Sequence, residues 1–443
     1  MSEESAVPSD LKHYRSWGGL AAHDCQIVAP EAWSAEPGLY RKPALAYGNG
    51  RSYGDSCLND GGALIAARQL DRILAFDRES GLITCEAGVL LDAVLNHVVP
   101  LGWFLPVTPG TAFVTVAGAV ANDVHGKNHH RAGTFGRHVR AFELVRSDGT
   151  RLTCGPDMNC PLFAATVGGF GLTGLITQVT LQLMRVPSAE MRQEVVHFDG
   201  LDRFFEIAAE SDETHEYTVA WIDALAEGAH FGRGVFFRAN HAPASDLPPG
   251  RAARPLPFPI KPPFPLINRL SLLAFNALYR AAQPRTPEPR RIPYRPFFYP
   301  LDRVNNWNRA YGPKGLRQFQ CAVPMAQARE AVEEMLKRTL AAGETSFLTV
   351  LKIFGDVPSR GMMSFPIAGA TLTLDFPHRG ERTLRLLDEL DRIALAAGGR
   401  VNPYKDARMS AETFEASFPH WREFAKQVDP GFSSGFWRRV TAG

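Results

Sequence analysis

The segment ALAYGNGRSYGDS, residues 44–56, decides the reading of this chain. Ala44 to Tyr47 is a short strand-forming run, and Gly48, Gly50 and Gly54 follow it at once. Glycines so spaced free successive backbone N–H groups to point into one concavity, which suits a pyrophosphate. A tight turn explains the same residues equally well, so the loop needs support from elsewhere.

Two further segments supply it. Thr108-Pro109-Gly110-Thr111 leads into Val114-Thr115-Val116-Ala117-Gly118-Ala119-Val120-Ala121-Asn122-Asp123, where small residues let a backbone lie directly against a planar ligand. His125-Gly126-Lys127-Asn128-His129-His130 follows, then Gly133-Thr134-Phe135-Gly136. Three histidines so close read first as metal ligands, but their spacing, with no carboxylate nearby, is poor zinc geometry, and no metal is expected. Gly169-Phe170-Gly171-Leu172-Thr173-Gly174 fits the dinucleotide fingerprint G-x-G-x-x-G. The true motif follows a strand and opens a helix. Here a helix-like LFAATVGG precedes it and the alternating LITQVTLQL (175–183) follows, so a Rossmann site is excluded.

Composition sets the outer limits. The 443 residues predict two or three domains, at ~100–200 residues each. Lys and Arg number 48 against 46 Asp and Glu, a balance that argues against wrapping nucleic acid. The six cysteines form no C-x-x-C pair, so neither a disulfide framework nor a structural zinc site is expected. The N-terminal MSEESAVPSDLKHY lacks a signal peptide's basic start and apolar core, and no window approaches a membrane span. The expectation is a cytoplasmic protein, peripheral at the inner membrane at most.

Beyond residue 300 the order changes. RQFQCAVP (317–324), MAQAREAVEEMLKRTLAAG (325–343) and SFLTVLKIFG (346–355) read as strand, helix, strand. ATLTLDF (370–376), RTLRLLDELDRIALAAGG (382–399) and RVNPY (400–404) repeat that order. Two such units predict a ferredoxin-like antiparallel sheet with helices on one face. Between the halves, residues 243–300 carry 15 of the 33 prolines, with nine Lys/Arg against Asp246 and Glu288. That density argues against a packed helix or central strand. The segment reads either as a solvated linker or as a mobile basic flap meeting lipid, with one apolar helix inside it at 265–282.

Together these segments resemble the flavin-binding domain of the vanillyl-alcohol oxidase and p-cresol methylhydroxylase superfamily. Within it, YGNGRSYGDS, VTVAGAVANDVHGKNHH and ATVGGFGLTGLI, continued by NWNRAYGPKGLRQFQ, SFPIAG, LDFP and YKDAR, resemble the polyprenylphosphoryl-ribose oxidases over residues 12–440. The resemblance implies an α+β fold. A PCMH-type two-subdomain FAD-binding domain would occupy 12–185 and a substrate (cap) domain with an antiparallel sheet 186–400. Residues 401–443 would return to the flavin. The implied activity is FAD-dependent oxidation of the 2-hydroxyl of a polyprenylphosphoryl-β-D-ribose, with a short-chain reductase partner completing epimerisation to arabinose for the cell envelope. An aldonolactone or soluble sugar-alcohol oxidase of the same fold, and a flavin-fold scaffold without turnover, are the rivals.

The same resemblance places the cofactor loop on Ala46, Tyr47, Gly48, Asn49, Gly50, Arg51, Ser52, Tyr53, Gly54, Asp55 and Ser56. Its other cofactor contacts fall on Gly110, on Thr115, Val116, Ala117 and Gly118, on Asn122, Asp123, Val124 and His125, and on Ile176. Arg51 stands where flavin-tethering relatives carry histidine, which implies non-covalent FAD. Tyr53, His125, Lys127, Gln320, Lys352 and Lys405 match polar substrate-side positions. Thr373 falls where the mycobacterial enzymes have the cysteine that suicide inhibitors modify, and Asn402 where the family has a tyrosine.

Alcohol oxidation requires a proton acceptor beside the hydride acceptor. Lys405, beside Lys352 and Lys127, is the first choice, either as a base with lowered pKa or as a cation stabilising developing charge. His125 and Tyr53 are the alternatives. Lys352, on an apolar strand, needs a partner if buried, and a substrate phosphate would serve.

Overall fold

The computed structural model describes residues 14–19, 25–40, 42–244, 256–285 and 288–442. The apolar run before the glycine loop is the strand Ala44–Tyr47. It pairs in parallel with Ala63–Ala66, which pairs in parallel with Gln26–Val28, making a three-stranded sheet. All four residues of the central strand are buried, as a parallel strand covered on both faces requires.

The next unit is a five-stranded antiparallel sheet in the order Ile73–Asp77, Leu82–Glu86, Leu175–Gln182, Val139–Val145, Arg151–Cys154. The strand period of two sets its faces. Val179 and Leu181 are buried while Thr180 and Gln182 are half-buried. The hairpin turns at Asp148-Gly149, where Gly149 has φ +85°. Helices Leu91–Val98 and Val116–Ala121 share the core of this sheet.

The remaining chain builds an eight-stranded antiparallel sheet. Its order is Arg290–Pro293, Glu190–Phe198, Gly234–His241, Tyr217–Ile222, Val350–Phe354, Gly369–Pro377, Leu316–Pro324, Arg400–Val401. Helices Leu201–Asp212, Met325–Ala341 and Glu381–Ala396 bring Phe204, Val332, Met335 and Leu387 into one core with Phe319, Cys321, Leu351, Leu372 and Leu374. Alternation then sends Gln318, Gln320, Val350, Lys352, Thr371 and Thr373 to the other face. The expected strand-helix-strand units are present. The strand expected from 346 begins at Val350 because Ser346 Oγ and Leu348 N–H are committed to Asp375.

Proline density overreached at the end of the 243–300 segment. Arg290–Pro293 is the edge strand, with proline as its last residue. Tyr294–Phe298 is a short helix whose Tyr294, Phe297 and Phe298 are buried in the core with Phe104 and Tyr217. An aromatic cluster outweighs the local cost of the prolines there. The helix expected at 265–282 runs from Arg269 to Ala282, opened by a capping box between Asn268 and Ser271. It buries Leu272 and Asn276 but leaves Leu270 79% and Leu278 72% exposed. Asp246, Arg251 and Arg254 lie outside the described residues.

The C-terminal segment is stitched to the first sheet. Ala44 N–H donates to Gly431 O at 2.8 Å, Ser433 N–H to Ala44 O at 3.0 Å and Asp429 N–H to Leu172 O at 2.9 Å. Among the described residues no helix is long and apolar enough to cross a membrane.

Candidate active site

A cavity of about 540 Å³ opens between the glycine loop, residues 108–127 and the face of the eight-stranded sheet opposite helices Leu201–Asp212, Met325–Ala341 and Glu381–Ala396. Asn49 Nδ2 ties the loop to the second segment by donating to Phe113 O at 2.7 Å. Thr115 Oγ1 caps the next helix by accepting Gly118 N–H at 3.1 Å. A Cβ on Gly48 would lie 2.7 Å from that same Oγ1, so only glycine allows this approach. Gly50 combines φ +58° with a Cβ position 2.1 Å from Tyr47 Oη.

Of the residues assigned to the cofactor, Ala46, Gly48 to Tyr53, Ser56, Gly110, Thr115, Ala117, Gly118, Asn122 to His125 and Ile176 line the cavity. Four do not: three hold the loop from behind, and the fourth lies in the core beneath the second segment. Tyr47 Oη donates to Arg15 O at 2.7 Å. Gly54 is pressed against the Asp406 backbone, Asp55 pairs with Arg439, and Val116 is buried in the apolar core. Gly171 and Gly174 of the discarded fingerprint also line the cavity. They do so as the turn before strand Leu175–Gln182, a placement that no Rossmann spacing would reveal.

The walls fit FAD. Arg51 stacks 4.1 Å above Trp17 and 5.4 Å from Phe113, yet among the described residues its buried Nε has no hydrogen-bond partner. An unspent cationic donor beside a glycine cradle suits an anionic cofactor group. Trp221, Phe275 and Tyr279 add an apolar wall that the sequence reading missed. They come from the face of strand Tyr217–Ile222 and from helix Arg269–Ala282, and only the fold sets them opposite one another.

All of the substrate-side residues assigned from sequence, Tyr53, His125, Lys127, Gln320, Lys352, Thr373 and Lys405, meet in this cavity. Lys127 Nζ donates to Phe297 O at 2.7 Å and to Phe298 O at 3.0 Å. Burial, then Lys352, pushes its pKa down to about 7. Burial, then Lys405, pushes Lys352 down to about 7. Lys405 lies 4.2 Å over the Tyr53 ring, and burial takes it to about 8 against the opposing pull of Asp375. His125 is held well below its ordinary value by burial and then by Lys352. The Tyr53 hydroxyl is pushed up by burial.

Behind this cluster Asp375 accepts from Tyr311 Oη and from Leu348 N–H at 2.6 Å, and burial raises it to about 6. Asp302 Oδ2, which no sequence signal marked, accepts Ala112 N–H at 2.8 Å and also borders the cavity. The neighbouring histidines have other tasks. His129 packs 4.5 Å from Phe354, and His130 Nε2 meets His215 O at 3.0 Å. Among the described residues no cluster of three or more His, Cys, Asp or Glu is placed to hold a metal.

Comparison with known proteins agrees with this architecture. The FAD binding domain family matches residues 37–155. The chain is 35% identical over 460 aligned residues to decaprenylphosphoryl-beta-D-ribose oxidase of Mycolicibacterium smegmatis, spanning 98% of both proteins. It is 37% identical over 373 residues to an uncharacterized Streptomyces coelicolor protein from the mprA 5′ region, spanning 80% of this chain and 100% of the other. Mouse L-gulonolactone oxidase is 32% identical over 143 residues, 32% of each chain. The full-length match and the flavin cradle together place the chain in the decaprenylphosphoryl-β-D-ribose oxidase family, as an FAD-dependent oxidoreductase acting on CH–OH groups.

Proposed function

We propose that this enzyme oxidises the 2-hydroxyl of a polyprenylphosphoryl-β-D-ribose to the 2-keto sugar, the first half of epimerisation to the arabinose form for cell-envelope glycan. One observation carries the proposal: three buried lysines, Lys127, Lys352 and Lys405, share the cavity with the flavin segments, and among the described residues no salt bridge to a carboxylate holds them. Any of them that carries a proton is a buried cation in need of a counter-charge, and a substrate phosphate supplies it. Lys127 has given two N–H bonds to Phe297 and Phe298 and turns its third to that phosphate.

Bound FAD supplies the two-electron acceptor for the carbinol hydride. Lys405 keeps its proton, favoured by the Tyr53 ring face and by Asp375, and stabilises charge developing on the sugar oxygen. Tyr53 stays protonated and orients the sugar. FAD is held without a covalent tether because Arg51 occupies the tethering position. The keto product calls for a separate reductase.

The substrate tail points to contact with a membrane surface. The exposed Leu270 and Leu278, with Phe264 62% and Ile260 57% exposed, supply the apolar part of that contact. The charge part is smaller than the segment's own composition implies. Arg269, Arg280, Arg291 and Arg295 are paired with Glu227, Asp199, Glu190 and Asp92 of other elements.

The test is anaerobic incubation of the holoenzyme with farnesylphosphoryl-β-D-ribose while following flavin absorbance. Bleaching is expected. Bleaching by L-gulono-1,4-lactone alone would transfer the activity to the soluble-sugar class.

A further inference from the structure

Asn402 departs from the family's tyrosine, and its hydrogen bonds give it a task. The backbone N–H of Tyr404 can only donate, and it donates to Asn402 Oδ1 at 3.0 Å. That fixes the Asn402 amide, so its Nδ2 donates to Gln320 Oε1 at 2.8 Å. Gln320 is fixed in turn: its Nε2 donates to Thr371 Oγ1 at 3.1 Å and faces His125 Nε2 at 3.2 Å. An amide nitrogen has no lone pair to offer, so His125 Nε2 must accept. A neutral imidazole that accepts at Nε2 carries its proton on Nδ1.

His125 Nδ1 lies 3.3 Å from Lys352 Nζ, which itself lies 3.3 Å from Gly126 O. An ammonium at Lys352 would face an N–H with an N–H. An uncharged amine satisfies both contacts, accepting from Nδ1–H with its lone pair and donating to Gly126 O. Packing holds the ring in place, since Phe354 meets it edge-on at 4.7 Å.

We infer that Asn402 and Gln320 act as positioning residues that polarise this chain, setting His125 as the Nδ1–H tautomer and Lys352 as an uncharged amine that takes the substrate hydroxyl proton. The titratable groups around Lys352 agree. Burial and then Lys405, from the C-terminal segment, disfavour a positive charge on it, while His125, Lys127 and His129, from one segment, are bases and supply no counter-charge. The His125 contact is long, so a hydroxyl at ordinary hydrogen-bond distance displaces it from the Lys352 lone pair. The O–H bond then breaks with its proton passing to Nζ, the carbinol C–H electron pair leaves as hydride, for which bound FAD would be the two-electron acceptor, and C=O forms. His125 Nδ1–H is released to a substrate oxygen. The acceptor role rests on the proposed oxidation, whereas the proton arrangement does not.

The test is NMR of the FAD-loaded protein labelled with 15N-histidine, His125 being assigned by the signal lost in His125→Gln. At pH 7.5 the parent is expected to show a neutral ring protonated at Nδ1. A ring protonated at Nε2, or an imidazolium, would overturn the inference. Gln320→Glu offers a carboxylate oxygen to His125 Nε2, and Asn402→Asp forces Gln320 to turn its oxygen there. Both should move the proton to Nε2 and raise the acid limb of the pH profile of flavin reduction by at least one pH unit. If either variant fails to fold, the parent spectrum still decides. A tautomer that switches while the pH limb stays would sink the Lys352 acceptor role. Flavin that no ribose lipid reduces, with the parent tautomer as expected, would instead sink the proposed reaction and the acceptor role with it, leaving the proton arrangement standing.

Discussion

Gly54→Ala tests whether the glycine loop also sets the position of Lys405. Gly54 does not line the cavity, and its backbone needs no left-handed conformation, so space alone is at stake. A Cβ there would sit 1.8 Å from Asp406 O and 2.5 Å from its carbonyl carbon. To reach 3.0 Å, the shortest separation that real Cβ atoms show, the carbonyl must retreat by about 1.2 Å. The retreat pulls on Lys405 directly, because Tyr53 N–H donates to Tyr404 O at 3.0 Å and Lys405 N–H to Asn402 O at 3.2 Å. Overpacking of this kind costs about 1–3 kcal/mol of stability. A catalytic group misplaced by ~1 Å costs roughly 10²-fold in rate. The variant should therefore retain FAD, unfold at a lower temperature and reduce its flavin about 10²-fold more slowly in anaerobic stopped-flow. Reduction within threefold of the parent, with unchanged unfolding, would show that residues 404–406 yield freely and that Lys405 needs no such placement.

Gly110→Ala places a Cβ where no atom of the described residues lies within 4 Å, on the cavity wall. Unfolding of flavin-free protein should be unchanged while FAD affinity drops about 5- to 150-fold, the equivalent of 1–3 kcal/mol of overpacking against the cofactor; equal FAD affinity would place the cofactor elsewhere. Lys352 has a pKa of about 7 folded and an ordinary value of 10.5, so the unfolded chain binds more protons between those limits and the lysine's cost to stability fades as pH rises through that window. Lys352→Met should accordingly stabilise the flavin-free protein most near pH 7 and progressively less toward pH 10, read by urea unfolding, and a pH-independent difference would contradict a depressed lysine. Acid precipitation should leave FAD in the supernatant, and flavin remaining with the polypeptide would reveal a tether. Leu270→Asp combined with Leu278→Asp changes two exposed side chains and should reduce co-sedimentation with anionic vesicles; equal sedimentation would remove the lipid contact from the proposal.

Local chemistry made much of this protein legible from sequence. Glycine at 48 and 50, and the small residues from 115 to 121, announce close backbone approach because no other residue types permit it. Period-two alternation in 316–324, 350–354 and 369–377 marks which side chains share a face, since pleating leaves only two directions. What the sequence does not contain is which faces meet. Lys127, Lys352 and Lys405 converge only because the helices cover the other side of the eight-stranded sheet and the C-terminal segment is stitched back to Ala44 and Leu172. Their lowered pKa values arise from that shared burial and exist in no local segment. Proline density misjudged residues 290–300 for the same reason, because Phe104 and Tyr217, distant in the chain, supply the contacts that make a packed edge there. Asn402 reads in sequence as a lost tyrosine. Only the direction of the hydrogen bonds from Tyr404 N–H to Gln320 makes it the residue that orders the protons of the site.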